Sequence, residues 1–467
     1  MKNDNSIKLN ISAKIDLTCD SEVKSILIVG NFGGMFGNCD GGDLHLHLPG
    51  VEASQEIVNN FMWLNDKCRD AKKVFIGTIS SIGEYVENMK SAAKNIGLNI
   101  NEDNYIEYLV EDDSQIFGIL NKVKEEMPKF DYIIQNPPYS VKIGNNRFDA
   151  TIHLRMLELA FNMLNDTGKM TIIEPSTWLI NLQEQLPSVK KFFIPLRNKL
   201  ENHVKSIIID NFNDEFGTML RSVKCLSITY IDKSKLYSSI NLNVCGHHTC
   251  VKSIYDCNLI GEYKMVECIL NKIKNSNIKK ASSRIFNDKI MNNNYYFICY
   301  ARQCQLGHGY ESLPDIGKRN NDVEYYTHMI SPMIHNKFRN ITSEIPLNTK
   351  HKSRDVLYAY TYTELYNYKH FVLSNSVPVF LCACLMITPD NHVLKYLPWL
   401  VDKQYTDQEI YDMFKFTQKE INLIEKTVRK FQYSSPFFKR YMCGPSKVSD
   451  QEVQEFCDKL DKEFPTE

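Results

Sequence analysis

Four consecutive residues in the first third of the chain have the side chains and the backbone stiffness needed to hold a planar amine. Asn136-Pro137-Pro138-Tyr139 directly follows the apolar run FDYIIQ. The two prolines remove two backbone donors and fix φ twice, and the residue before each proline is driven to extended geometry. We therefore expect the carbonyls of this turn to point outward, where a ligand can reach them.

An aromatic amine is a poor nucleophile because its lone pair is delocalised into the ring. Two acceptors aimed at its hydrogens would favour a pyramidal nitrogen, and the Asn136 side-chain oxygen and the Pro137 carbonyl can supply them. Tyr139 offers a stacking face, worth about 1–3 kcal/mol for an unstacked base. An electrophilic sulfonium methyl group would make a strong base unnecessary. These residue types therefore predict methylation of an amine on a base that has left its stack.

Residues 1–235 alternate between short apolar runs and segments with helical spacing. Strands separated by single helices pair in parallel, which predicts an α/β sheet covered on both faces. Ligands bind such sheets at the carboxyl ends of the strands, so the loops after Val29, Val110 and Ile134 should lie together. Strands are predicted at residues 25–29, 74–79, 105–110, 132–134, 170–173, 206–209 and 225–231. Helices are predicted at residues 55–64, 82–96, 116–126 and 155–164, the last ended by Gly168.

Residues 25–235 resemble the N6-adenine DNA methyltransferase family, whose catalytic motif is matched by FDYIIQNPPY at residues 130–139. A C-terminal stretch from YLPW at residue 396 to residue 421 is similar to a segment of phage and restriction–modification enzymes of this type. Residues 236–390 are not covered by the resemblance. Three further segments are similar to later core strands of the family: GKMTIIEPSTW (168–178), IIIDNFNDEF (207–216) and CLSITYIDK (225–233).

The resemblance implies a Rossmann-like methyltransferase sheet and a site-specific DNA adenine-N6 methyltransferase that uses S-adenosyl-L-methionine and flips out its target base. Asn136, Pro137, Pro138 and Tyr139 would be its catalytic residues. The residues alone leave other readings open. RNA adenine methylation, methylation of a protein glutamine, and a non-catalytic DNA-binding protein on the same fold are the alternatives.

The resemblance also implies a glycine-rich turn after the first strand. Such a turn follows SILIV here, and glycines allow the backbone to approach a cofactor closely. An acidic residue usual at the end of the second strand is replaced by Ser80-Ser81, and Glu111-Asp112 after the third strand would serve the cofactor adenine instead. The predicted cofactor residues are Gly30, Asn31, Phe32, Gly33, Gly34, Gly37, Glu111 and Asp112.

In an alternative assignment of the strands, residues 74–79 form the first strand. Gly77 and Gly83 would then be its glycines, and Glu111 at the end of residues 105–110 would hold the cofactor ribose. We favour residues 25–29 as the first strand because this choice leaves an unbroken alternation of strands and helices. Glu111 lies at the cofactor in both assignments.

The basic residues of the chain are unevenly distributed. The 467 residues carry a net charge of −1, yet residues 270–354 hold 14 Lys and Arg against 6 Asp and Glu, a local charge of +8. Phosphate contacts require such cations. We expect a methyltransferase domain at residues 1–235 and a mixed α+β target-recognition domain with a helical C-terminus at residues 236–467. The predicted DNA contacts are Lys142, Arg147, Lys318 and Arg319.

The composition limits the classes of protein to which the chain can belong. The apolar share of 43% and charged share of 24% are typical of a globular protein, and no apolar run is long enough to span a bilayer. The 14 scattered cysteines contain no CxxC pair, so we expect reduced thiols and no metal site. We expect a cytoplasmic protein with double-stranded DNA as its partner. The oligomeric state and the recognised sequence are left open.

Overall fold

A computed structural model of the chain places all seven strands predicted before residue 235 in one sheet. The predicted helix at residues 55–64 lies outside the described residues, and residue 94 is the one described position of the helix predicted at residues 82–96. The structure describes residues 23–30, 70–78, 94, 101–139, 141–143, 147–149, 151–180, 187–210, 225–284, 296–301, 317–318, 326–331, 339–344, 354–359, 361–385, 395–432, 434–443 and 448–466.

The central sheet has nine strands, and a two-stranded hairpin follows its fourth strand in the chain. The sheet strands are β1 (Ser25–Gly30), β2 (Lys72–Thr78), β3 (Tyr105–Val110), β4 (Phe130–Asn136), β7 (Leu164–Pro175), β8 (Val204–Asp210), β9 (Leu226–Asp232), β10 (Ile240–Val244) and β11 (His247–Val251). The hairpin consists of β5 (Val141–Ile143) and β6 (Arg147–Asp149).

The strand order is β3-β2-β1-β4-β7-β9-β8-β10-β11. The pairings from β3 across to β7 are parallel, whereas β9 runs antiparallel to both β7 and β8. The chain moves outward from β1 to β2 and β3 and then returns to place β4 on the other side of β1. A doubly wound sheet binds ligands at such a reversal, so the carboxyl ends of β1 and β4 are the expected site.

Hydrogen bonds at the amino ends of β1 and β4 fix how these two strands align. The Asp131 Oδ2 accepts from the backbone nitrogens of Lys24 and Ser25 at 2.8 and 3.0 Å and from Ser25 Oγ at 3.2 Å. The other carboxylate oxygen accepts from Asn165 Nδ2 at 2.5 Å. The register that results pairs Gly30 with Asn136 at the opposite end.

The first-unit helices follow the predicted spacing. They are α1 (Ile116–Glu126), α2 (Ile152–Met163), α3 (Thr177–Ile180) and α4 (Pro187–Leu200). In α1 the buried residues are Ile116, Leu120 and Val123, which recur at helical spacing and form one face. Gly168 does not end α2 as predicted, because the chain turns extended at Leu164 and Gly168 lies within β7, beside an irregularity in its pairing with β4.

The sheet continues past the boundary predicted at residue 235. Strand β10 pairs with β8 and β11 pairs with β10, so the first compact unit runs to Asn258. It comprises Met1–Leu179, Gln185–Asn258 and Arg440–Asp450. The predicted boundary therefore falls between two strands of one sheet rather than at its edge.

The second unit comprises Ile180–Glu184, Leu259–Lys439 and Gln451–Glu467, and it is mixed α+β as predicted. Its strands are β12 (Tyr296–Ala301), β13 (Gly317–Lys318), β14 (Tyr326–Ser331), β15 (Arg339–Glu344) and β16 (Arg354–Ala359). Its helices are α5 (Tyr263–Asn275), α6 (Tyr362–Ser374), α7 (Ser376–Leu385), α8 (Asp407–Phe414), α9 (Gln418–Lys430), the first half of α10 (Pro436–Cys443) and all but the first residue of α11 (Asp450–Glu463).

The C-terminus is helical as predicted, and a capping box at Thr406 and Glu409 starts α8. Lys415, in a left-handed conformation with φ of 53°, follows α8, and a second capping box at Thr417 and Glu420 starts α9. Within the described part of the chain, every helix is too short or too polar to cross a bilayer.

A buried ion pair joins the Arg440–Asp450 segment to the sheet. The Arg440 guanidinium lies 3.1 Å from Asp210 Oδ2 at the end of β8, and both side chains are less than a tenth exposed. The same guanidinium donates to the Val448 carbonyl at 2.8 Å and contacts Asp450 at 2.8 Å. Removing one partner would leave a charge buried without compensation.

We therefore expect Arg440→Met to lower the free energy of unfolding by about 3–5 kcal/mol, because Asp210 stays buried without its cation. Urea unfolding followed by circular dichroism measures this. Adding Asp210→Leu to the same chain should restore most of the loss. Equal destabilisation in the single and double variants would show that the pair does not hold this segment.

Candidate active site

The predicted catalytic turn lies at the carboxyl end of β4, next to the end of β1. Asn136 is 8% exposed and is paired in register with Gly30. Gly30 has φ of +96°, and a Cβ built there would lie 1.6 Å from the Asn136 backbone oxygen. Only glycine fits at this position, because any side chain would displace the turn that carries the two acceptors.

The four motif residues form one cluster with a defined acceptor pattern. The Tyr139 hydroxyl donates to Asn136 Oδ1 at 3.0 Å, which fixes the orientation of the amide oxygen. Pro137 is buried, and no described residue donates to its carbonyl. Burial raises the pKa of Tyr139, and the neighbouring Glu174 raises it further, so this hydroxyl remains a donor at neutral pH. The arrangement offers two oxygen acceptors and an aromatic ring.

Glu174 belongs to this site, although the sequence reasoning did not single it out. Its side chain is fully buried near the end of β7, and within the described residues neither carboxyl oxygen has a hydrogen-bond partner. Burial raises the pKa of Glu174 well above its ordinary value and so favours the protonated carboxyl. The one available signal was an acidic residue inside the apolar run MTIIEP.

Glu111 and Asp112, the two acidic residues directly after β3, differ in their hydrogen bonds. Asp112 caps a short 3-10 helix, with its Oδ1 accepting from the Ser114 nitrogen at 2.7 Å and from Ser114 Oγ. These hydrogen bonds lower the pKa of Asp112. Glu111 is exposed, and its backbone nitrogen donates to Gln115 Oε1 at 3.0 Å, whereas its carboxylate has no hydrogen bond to another described residue. The Glu111 carboxylate is thus the better placed of the two to receive a ligand.

Strand pairing decides which of the two candidate segments is the first strand, the one that precedes the cofactor loop. Strand β1 lies between β2 and β4, so residues 25–30 form the first strand and Gly30 stands at its carboxyl end. The rival, with residues 74–79 in that position, is wrong. The other predicted loop residues, Asn31, Phe32, Gly33, Gly34 and Gly37, lie outside the described residues.

The predicted DNA contacts fall on two separate elements. In the β5–β6 hairpin Lys142 pairs with Phe148, and Arg147 pairs with Ile143. Lys318 lies in β13 of the second unit, and Arg319 lies outside the described residues. No group of three or more metal-ligating side chains occurs among the described residues.

No family model and no curated protein matches the sequence. Among solved structures, the chain is similar to a protein described as the modification subunit of a type I restriction enzyme from Vibrio vulnificus YJ016, at 13% identity over 60% of this chain and 56% of that one, with a TM-score of 0.30. It is also similar to an O-methyltransferase from Bacillus cereus in complex with SAH, at 12% identity over 45% of this chain and 74% of that one, with a TM-score of 0.26. A third similar structure is human methyltransferase-like protein 13 in complex with SAH, at 12% identity over 46% of this chain and 77% of that one, with a TM-score of 0.24. The chain spans little more than half the length of the first of these.

The strand order of the chain itself defines the fold class. Five parallel strands with a reversal between β1 and β4, followed by an antiparallel β9 inserted before β8, form an α/β sheet of the Rossmann-like methyltransferase type. The fold predicted from the sequence is confirmed.

Glu174 should make the stability of the protein depend on pH. Its folded pKa lies above its ordinary value of 4.5, so the folded protein keeps a proton that the unfolded chain releases. The free energy of unfolding should therefore fall as pH rises above the unfolded pKa, by up to about 1.4 kcal/mol per pH unit. Glu174→Gln should remove this slope and be increasingly more stable than wild type from pH 5 upward, until the folded pKa is passed.

Urea unfolding of both proteins at several pH values measures the effect, with the exposed Glu125→Gln as the matched control. A constant stability difference between Glu174→Gln and wild type across this range would show that Glu174 is not protonated in the folded protein.

Proposed function

We propose that the chain is a site-specific DNA methyltransferase that transfers a methyl group from S-adenosyl-L-methionine to the N6 amine of an adenine flipped out of the duplex. The observation that carries the proposal is the Asn136–Tyr139 turn. It lies at the carboxyl end of β4, against Gly30, at the reversal of a Rossmann-like sheet. The solved structures to which the chain is similar include an O-methyltransferase and the modification subunit of a type I restriction enzyme.

The residues around β1 and β3 are suited to an extended cofactor. Gly30 shows that backbone approaches backbone closely at the end of β1, and the glycine loop that follows would hold the methionine part. Glu111, two strands away and about 10 Å across the sheet, would accept from the adenine part. When bound, S-adenosyl-L-methionine supplies an electrophilic methyl group.

The turn after β4 would hold and activate the target amine. Asn136 Oδ1 and the Pro137 carbonyl accept its two hydrogens, which favours a pyramidal nitrogen with an exposed lone pair. Tyr139 stacks on the base and offsets part of the cost of extrusion, a few kcal/mol. The burial of Asn136 excludes water that would compete for these hydrogen bonds. The proton lost from the amine passes to solvent.

Cations outside the pocket would position the duplex. The β5–β6 hairpin follows the catalytic turn directly, so Lys142 or Arg147 can contact phosphates beside the flipped base. The basic stretch at residues 270–354, which includes Lys318 and Arg319, would supply phosphate contacts and sequence reading from the second unit.

Incubation of the protein with duplex DNA and S-adenosyl-L-methionine, followed by mass spectrometry of the nucleosides, tests the proposed function. The absence of N6-methyladenine would refute it.

We expect Asn136→Ala to lower the rate of methyl transfer at least about a hundredfold, because one of two acceptors aimed at the amine is lost. Cofactor affinity, measured by calorimetry, should stay within about twofold. Asn275→Ala, at an exposed position of α5, is the matched control. An equal loss of cofactor affinity and rate would place Asn136 at the cofactor instead of the amine.

We expect Lys318→Ala with Arg319→Ala to weaken DNA binding and to reduce the slope of log affinity against log salt by about 0.9 per lost phosphate contact. Fluorescence anisotropy between 50 and 200 mM salt measures this. The pair Lys122→Ala and Lys124→Ala on the exposed side of α1 removes the same charge as a control. A wild-type slope in the first variant would place residues 318 and 319 away from DNA.

A further inference from the structure

Glu174 has two properties that structural side chains rarely combine. Its carboxyl is fully buried, and neither oxygen has a hydrogen-bond partner in the part of the chain that the structure describes. Ser227, its partner in β9, donates at 3.2 Å to the Glu174 backbone carbonyl and not to the side chain. An unpaired buried polar group opposes folding, so such a residue is typically kept for a function.

Its position places it with the catalytic turn. Strand β7 lies beside β4, and Glu174 stands two residues beyond Ile172, which pairs with Gln135 immediately before the turn. The register therefore puts Glu174 level with Pro137, on the face of the sheet that carries the Gln135 side chain. It stands beside the turn in which the Tyr139 hydroxyl is bonded to Asn136 Oδ1.

A neutral carboxyl brings to this edge a donor that the motif does not provide. Asn136 Oδ1 and the Pro137 carbonyl are acceptors, whereas a protonated Glu174 has an O–H to donate. Its strand neighbours among the described residues, Gln135 in β4 and Ser227 in β9, are uncharged, and burial raises the pKa of its carboxyl well above the ordinary value. A carboxyl buried without a countercharge favours its protonated form, which has a hydrogen to donate.

The target edge of adenine needs this combination. Its amine carries two hydrogens, and the carbon that bears the amine is bonded directly to N1, a ring acceptor. Two acceptors and one donor from the protein would satisfy that whole edge once the base has left its pair.

We propose that Glu174 is a specificity-determining residue that donates its carboxyl proton in a hydrogen bond to N1 of the flipped adenine. The inference rests on the proposed function and adds the donor that recognises the ring beside the amine. No bond is made or broken at Glu174, and the proton stays on the carboxyl throughout the transfer.

The test combines two enzyme variants with one altered substrate atom. Glu174→Gln keeps a donor in nearly the same shape, whereas Glu174→Met keeps the length of the side chain and has no donor. Each protein methylates duplexes that carry adenine or 1-deazaadenine, in which C–H replaces N1, at the target position. For each protein, the single-turnover rate on adenine is divided by the rate on 1-deazaadenine. Comparing this rate ratio among the three proteins cancels the altered intrinsic reactivity of the analogue.

Wild type and Glu174→Gln should share one rate ratio, and the ratio in Glu174→Met should be smaller by about tenfold, the size of one neutral hydrogen bond or slightly more. Glu174→Met should unfold at or above the wild-type temperature, because an unpaired polar group has been replaced by an apolar one. Analogues altered at N7 should give equal ratios in all three proteins.

The same rate ratio in wild type and Glu174→Met, with adenine methylation intact, would overturn the role of Glu174 and leave the proposed function standing. A lower unfolding temperature in both variants would show that Glu174 is a structural residue. No methylation of adenine by wild type would overturn both proposals.

Discussion

The alignment of β1 with β4 is the constraint on which the site depends. Asp131 holds the amino ends of the two strands together through three hydrogen bonds to Lys24 and Ser25, and Gly30 meets the Asn136 backbone at the other end. Because side chains alternate along a strand, a slip of one residue would turn Asn136 to the opposite face. It would also bring a residue with a Cβ against the turn. The geometry of the acceptors is therefore fixed by contacts roughly 20 Å away.

Much of this arrangement could be predicted from local sequence. Apolar runs with helical segments between them indicate a parallel sheet, and the Asn-Pro-Pro-Tyr turn after one run marks its ligand-binding edge. Strands β10 and β11 were missed because their alternating polar residues, in INLNV and HHTCV, are those of strands near the edge of a sheet. The contact of Arg440 with Asp210 spans 230 positions, and no local pattern reports a contact at that separation. The chemical role of Glu174 was missed because burial of one acid within an apolar run leaves no periodic signal.

Several buried polar side chains of the sheet lie near the Asn136–Tyr139 turn. Gln135 pairs with Ile172, and Ile172 pairs with Thr229, so these positions lie in one row across three strands. Among the described residues, side-chain atoms of Gln135 and Thr229 are buried without hydrogen-bond partners, as are those of Glu174 two residues further along β7. A packed sheet interior would be more stable with apolar residues here. These polar side chains therefore lower the stability of the fold next to the turn.

The hydrogen bond from the Tyr139 hydroxyl to Asn136 Oδ1 has a consequence for any second donor that approaches this amide. An amide oxygen has two lone pairs, so Asn136 Oδ1 can keep the hydrogen bond from Tyr139 and still accept another. The bond orders the amide during folding, so the entropy of ordering it need not be lost again when a second donor arrives. Tyr139 thereby keeps the acceptor preorganised.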